Sequence, residues 1–143
     1  MYSATDVVFQ IPDESVLEKA SGGFARRVFV AVLQEPAYPG GIDFLSKILT
    51  AARLNLEKDT LFAAIGATEN LALLPAITQK QAQTILVFGL PLPQLGIRAD
   101  IPLYQPQSFY GATFLCADQL SVLEPDKNRK GKLWQALQQL FLS

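Results

Sequence analysis

Two acids, Glu35 and Asp43, stand where a carboxylate could do chemistry. Glu35 lies in LQEPAYPGG, residues 33 to 41, directly after the apolar run VFVAV, and Asp43 follows eight residues later. A loop at the carboxyl end of a buried strand is where α/β proteins usually bind ligands. Glu35 is therefore a candidate general acid or base. Neither acid has a second one beside it in sequence. Asp43 is more simply read as an anion that favours a helix N-terminus, and the prolines and glycines around Glu35 also suit a plain connector.

The partners that such an acid usually needs are scarce. The chain contains no histidine and a single cysteine, Cys116. Nucleophile systems built on histidine, histidine-ligated metal sites and structural zinc are thereby excluded. Cys116 sits in the apolar run TFLCA and reads as a buried, inert thiol. Gly89-Leu-Pro-Leu-Pro has prolines where a phosphate cradle needs backbone donors, and no Lys-Ser or Lys-Thr follows. No cofactor is expected.

A different chemistry is offered by DKNRKGKLW near the C-terminus. Lys127, Arg129, Lys130 and Lys132 place four cations in the first turns of a helix, where the macrodipole prefers anions. A solvated face is the simpler reading. The functional one is a docking patch for an acidic partner or for phosphates. Trp134 belongs either to the core or to an aromatic stripe that docks on a partner, and its exposure decides between them.

The elements that must position these residues follow from periodicity. RVFVAVLQ (27–34), TLFAAIG (60–66), ILVFG (85–89) and TFLCA (113–117) are apolar almost throughout, as strands covered on both faces are. Ile42, Leu45, Ile48, Leu49 and Ala52 fall at helical spacing, with Lys47 and Arg53 off that stripe and Asn55 as its expected stop. NLALLPAITQKQAQ (70–83) reads as a helix disturbed by Pro75. The proline-rich stretch 90–107 reads as loop, with a short strand at LYQ (103–105). Asp126 to Phe141 forms a final helix capped by Asp126. In the arm 1–26, VVFQI suggests a strand and ESVLEKA a short helix, broken at Gly22-Gly23. The β-α-β-α-β order implies a three-layer α/β sandwich, with helices on both faces of a mostly parallel sheet of about four strands.

At 143 residues the chain suits one domain, 1–143. Hydrophobic residues make up 50% and charged residues 17%, against roughly 25% charged in ordinary domains. Apolar surface available to partners is the expectation. With a formal net charge of -1, no global field favours a polyanion, so contact with nucleic acid is expected to be weak or indirect. No run reaches the length of a membrane span, and MYSATD lacks the features of a signal peptide. A cytoplasmic protein without membrane contact is expected.

RVFVAVLQEP, then FLSKILTAARLNLEKDTL leading to a second strand, then GATFLCADQLSVLEPDKNRKGKLWQALQQLF together resemble the psi subunit of bacterial DNA polymerase III. The likeness covers roughly residues 27 to 67 and 111 to 142. It implies a non-catalytic subunit that bridges the clamp loader and the chi subunit. Residues 1 to 26 lack the Trp- and basic-rich character of that family's clamp-loader peptide.

A second resemblance points to another class. LQEPAYPGG is similar to the water-activating loop of uracil-DNA glycosylases, with Gln34, Glu35, Pro36 and Tyr38 standing for a Gln-Asp-Pro-Tyr turn, Glu replacing Asp and Ala37 inserted. QTILVFGLPLP resembles a later strand of that fold, and Pro106 to Ser108 falls near its His-Pro-Ser loop. The histidine that stabilises the departing base there has no counterpart here. This resemblance implies a DNA-binding or repair protein with a degenerate site. A homo-oligomeric structural domain, with its apolar excess as a self-interface, is the third reading.

Overall fold

The computed structural model describes residues 14 to 142. Its centre is a five-stranded sheet in the order β2-β1-β3-β5-β4. β1 (Val28–Leu33), β2 (Thr60–Ile65), β3 (Thr84–Phe88) and β5 (Ala112–Ala117) are parallel; β4 (Gln107–Phe109) is antiparallel to β5 at the edge. Val28 aligns with Thr60 on one side and with Thr84 on the other, so β1 is an interior strand, one in from the β2 edge, and β3 is the middle strand of the five.

Alternation along the strands divides the core. Phe29, Ala31, Ile85, Val87 and Phe114 face one way. Val28, Val30, Val32, Leu86 and Leu115 face the other. The second face is covered by α1 (Gly41–Ala51), α4 (Leu120–Leu123) and α5 (Lys127–Leu137), through Leu45, Leu49, Leu123, Leu133 and Leu137. The first is covered by α3 (Leu74–Thr78) and by 3-10 turns at Val16–Glu18 and Leu92–Leu95. Both faces of β1 are sealed, which is why its run is continuously apolar. The three-layer α/β arrangement is thus present, with five strands where about four are expected. No helix among the described residues is long and apolar enough to cross a membrane.

Several local expectations need correction. The added strand is β4, whereas Leu103 and Tyr104 of the expected LYQ strand lie outside the sheet, Tyr104 at a φ of 64°. The first helix stops before Asn55. Arg53 takes the left-handed conformation at φ 63° and donates its N–H to Thr50 at 3.0 Å, while the Leu54 N–H reaches the Leu49 carbonyl at 2.8 Å. That is a Schellman stop. Asn55 instead caps the start of α2 (Leu56–Asp59), its Oδ1 accepting from the N–H groups of Glu57 and Lys58 at 3.0 and 2.8 Å. The helix expected over 70–83 shrinks to α3, with Pro75 in its first turn, where a missing N–H costs nothing.

The expected VVFQI strand lies outside the described residues. ESVLEKA forms a single 3-10 turn, with Ser15 accepting from Leu17 N at 3.0 Å. Its continuation is pinned to the outer edge of β2 through Ser21 N to Phe62 O at 3.0 Å and Phe62 N to Ser21 O at 2.8 Å. This part of the arm therefore covers an edge that would otherwise be open for pairing.

Candidate functional site

The first candidate site is the junction beyond β1. The Gln34 N–H donates to Ile65 O at 2.8 Å, continuing the pairing of β1 with β2 by one residue, and the Tyr38 N–H closes a turn onto Glu35 O at 2.9 Å. Pro36 is exposed on that turn. Glu35 thus leaves the sheet at the carboxyl ends of its strands. The connection from β1 runs to β2 and that from β2 returns to β3 on the far side of β1, so the order reverses here, as it does where open α/β sheets bind ligands. A cleft of about 220 Å³ lies beside it, lined by Val32, Glu35, Tyr38, Ile42, Ala64 and Leu120 among others.

The Glu35 carboxylate, however, is already engaged. Its Oε1 accepts from Gln119 Nε2 at 2.9 Å and from the Ser121 hydroxyl, and its Oε2 accepts from Ser121 N at 3.3 Å. The acid ties the β1 loop to the start of α4. Gly89 makes the geometry attainable. At φ 78° it donates its N–H to Ala117 O at 2.9 Å, and a Cβ there would lie 2.5 Å from Gln119 Cβ and 2.8 Å from its Cα. Only glycine lets the end of β3 press against the backbone that carries Gln119. Tyr38 completes the junction by donating its hydroxyl to Glu124. Burial first, then that hydrogen bond and the charges of Glu124 and Glu35, push the phenol up to about 12.

Pro106 to Ser108 does not join this site. Ser108 pairs with Thr113, which aligns with Thr84 at the amino ends of the parallel strands, whereas Glu35 lies beyond their carboxyl ends. The edge position of β4 holds that segment away from β1, so the two loops matched to the glycosylase pattern are not brought together.

The second candidate is the basic helix α5. Asp126 caps it, its Oδ1 accepting from Arg129 N at 3.1 Å. Arg129 also donates Nε to Asp126 Oδ2 at 3.0 Å and pairs through Nη1 with Asp118, which in turn accepts from the Tyr104 hydroxyl. The Arg129 N–H, ahead of its guanidinium, holds the Asp126 carboxyl below its ordinary range. Arg129 is therefore a latch between α5, the end of β5 and the 104 loop, its guanidinium shared by two carboxylates of the fold while its side chain stays 43% exposed.

The remaining cations diverge around the helix. Lys130 and Trp134, one turn apart, face α1 and line an apolar groove of about 220 Å³ with Lys47, Ile48, Ala51, Leu133 and Leu137. Lys132 lies on another side, beside Tyr104, Gln105, Gln135 and Gln139. Lys127 is exposed at the first turn. Trp134 is half-buried and packs on the core of its face, so it is both core and groove wall.

Gln119, Ser121 and Glu124 are the partners that sequence reasoning misses. They lie 84 and more residues from the loop they bind, and no spacing rule links segments so far apart. Among the described residues no group of three or more Cys, Asp or Glu side chains could hold a metal ion. No family model matches the chain, and no curated protein matches it significantly.

Proposed function

We propose that the chain is a non-catalytic, psi-like interaction subunit that bridges components of a DNA polymerase III clamp-loader assembly in the cytoplasm. The observation that carries the non-catalytic part is the state of Glu35. A water-activating carboxylate needs an oxygen open to water at roughly 2.6–3.2 Å. Here three donors occupy most of its roughly four acceptor positions. Removing Gln119 and Ser121 from it would leave part-buried polar groups without their partners, so the acid serves the fold. The chain also has no histidine to stabilise a departing base.

The bridging part rests on the likeness of residues 27 to 67 and 111 to 142 to the psi subunit. The half-buried Trp134, with Lys130 of α5 and Lys47 of α1 beside it, supports it as contact surface. Two measurements test the proposal. In a retention assay the immobilised chain should hold purified clamp loader or chi subunit; retention of neither overturns the bridging role. In a uracil-excision assay on single-stranded DNA the chain should show no turnover. Excision that disappears in Glu35→Gln would establish the glycosylase-like alternative instead.

A further inference from the structure

We infer that the groove between α1 and α5 is a docking site for a short acidic peptide segment of a partner protein, with one large apolar side chain set among carboxylates. The inference rests on reading the chain as an interaction subunit and names the chemistry of what it binds. The groove has an aliphatic floor, Leu133 and Leu137, both buried. Its walls are the half-buried Ile48 and Trp134, and the short side chain of Ala51 leaves the depression open to solvent. About 220 Å³ equals the liquid volume of about seven waters, which is room for one large side chain of a ligand.

Charge selects the occupant. Lys47 comes from α1 and Lys130 from α5, and neither has a salt-bridge partner among the described residues. Arg129, one residue before Lys130, is held by Asp118 and Asp126. The contrast matters because Lys130 lies near the positive end of the α5 dipole, where an added anion is stabilising. No acid lines the groove. On a chain whose net charge is -1 it is thus a local positive spot over an apolar floor. A phosphate would use the lysines and leave the floor empty, while an uncharged apolar peptide would leave both ammonium groups without a counterion. Acidic residues flanking an apolar anchor satisfy both. Single-stranded nucleic acid is disfavoured because Trp134 is the one aromatic face lining an otherwise aliphatic groove, whereas successive bases stack on several aromatic side chains.

Selection of random peptides displayed on phage against the full chain tests the inference. Enriched sequences should combine Asp or Glu with one Phe, Leu, Ile or Trp. A synthetic peptide of the enriched sequence, followed by fluorescence polarisation, should bind the Lys47→Glu/Lys130→Glu double variant at least about tenfold more weakly, with weaker binding at high salt. Lys80→Glu, beyond α3 on the other face of the sheet, should change affinity by less than about twofold. Both substitutions in the double variant are at the rim, and an unchanged thermal midpoint shows that the fold is intact.

Enrichment of sequences without acids, or equal binding by the double variant, overturns the inference. So does a labelled oligothymidylate that binds the chain and is released by the double variant, or a self-association in sedimentation that the same variant abolishes. Clamp-loader retention separates this from the broader reading. Retention unchanged by the double variant, without acidic enrichment, refutes the groove alone; acidic peptides bound in the groove without retention refute the replication role alone.

Discussion

Glu35 has a position and a set of partners that lead to different conclusions. Its position, beyond the carboxyl end of the interior strand β1 and beside a cleft, is that of a ligand-binding acid. Its partners, Gln119 and Ser121, make it a clamp. Glu35→Gln separates the two roles. The amide keeps one acceptor and turns a second donor toward Gln119 and Ser121, so urea unfolding should show a loss of about 1–3 kcal/mol with an unchanged m-value. Relief of a strained catalytic acid would instead leave stability equal or higher. At this scale the sequence is informative about neighbours along the chain and silent about contacts across it. Pro36, Pro39 and the glycines announce the turn, and TFLCA announces a buried Cys116, which the fold confirms. That Ser121 would hydrogen-bond to Glu35 depends on β5 ending next to β3, and only the assembled sheet decides that.

Elements were legible in proportion to how strongly one local rule governs them. Asp126 is the cap of α5 because its side chain has an orphan N–H group within reach wherever the helix lies. Asn is the usual left-handed residue after glycine, which points to a stop of α1 at Asn55, yet Arg53 takes that conformation, with Leu54 buried in the same core cluster as Leu49. β4 has three residues, too few for an alternating pattern to stand out from a loop. Within α5 one residue runs against its element. Gly131 is exposed, its φ is not positive, and a Cβ built on it meets no atom within 4 Å. Gly131→Ala should therefore stabilise the fold by about 0.5–1 kcal/mol through helix propensity, raising the thermal midpoint by about 2–4 °C in a calorimetric scan. No gain, or a loss, would mean that the helix is bent or engaged at that position.

On the scale of the whole molecule, continuous apolar runs separated by a helical stripe specified a parallel sheet covered on both faces, because only a strand sealed on two sides needs so few polar residues. The same economy of charge shapes the response to pH. With no histidine, no side chain of ordinary pKa near 6.5 is present, so stability should be nearly flat from about pH 5.5 to 8.5. Below that range it should fall, because Glu69 is held down by its pairing with Lys19, then by the Gly66 N–H, and Asp126 by the Arg129 N–H. Both carboxylates are better stabilised folded than unfolded, and protonation removes that advantage. On the alkaline side the sign reverses. Burial pushes the Cys116 thiol from 9.0 to about 11, and burial followed by the hydrogen bond to Asp118 pushes the Tyr104 phenol from 10.0 to about 12. The folded chain keeps protons that the unfolded chain gives up, so stability declines as pH rises, beginning near the unfolded thiol value of 9.0. Urea midpoints measured across this range should show the decline starting near pH 9 in the parent chain. In Cys116→Ala the lowest-titrating raised groups left among the described residues are the phenols of Tyr38 and Tyr104, and the onset should move to near their unfolded value of 10.0. An onset that does not move would mean that the thiol is open to water in the folded protein.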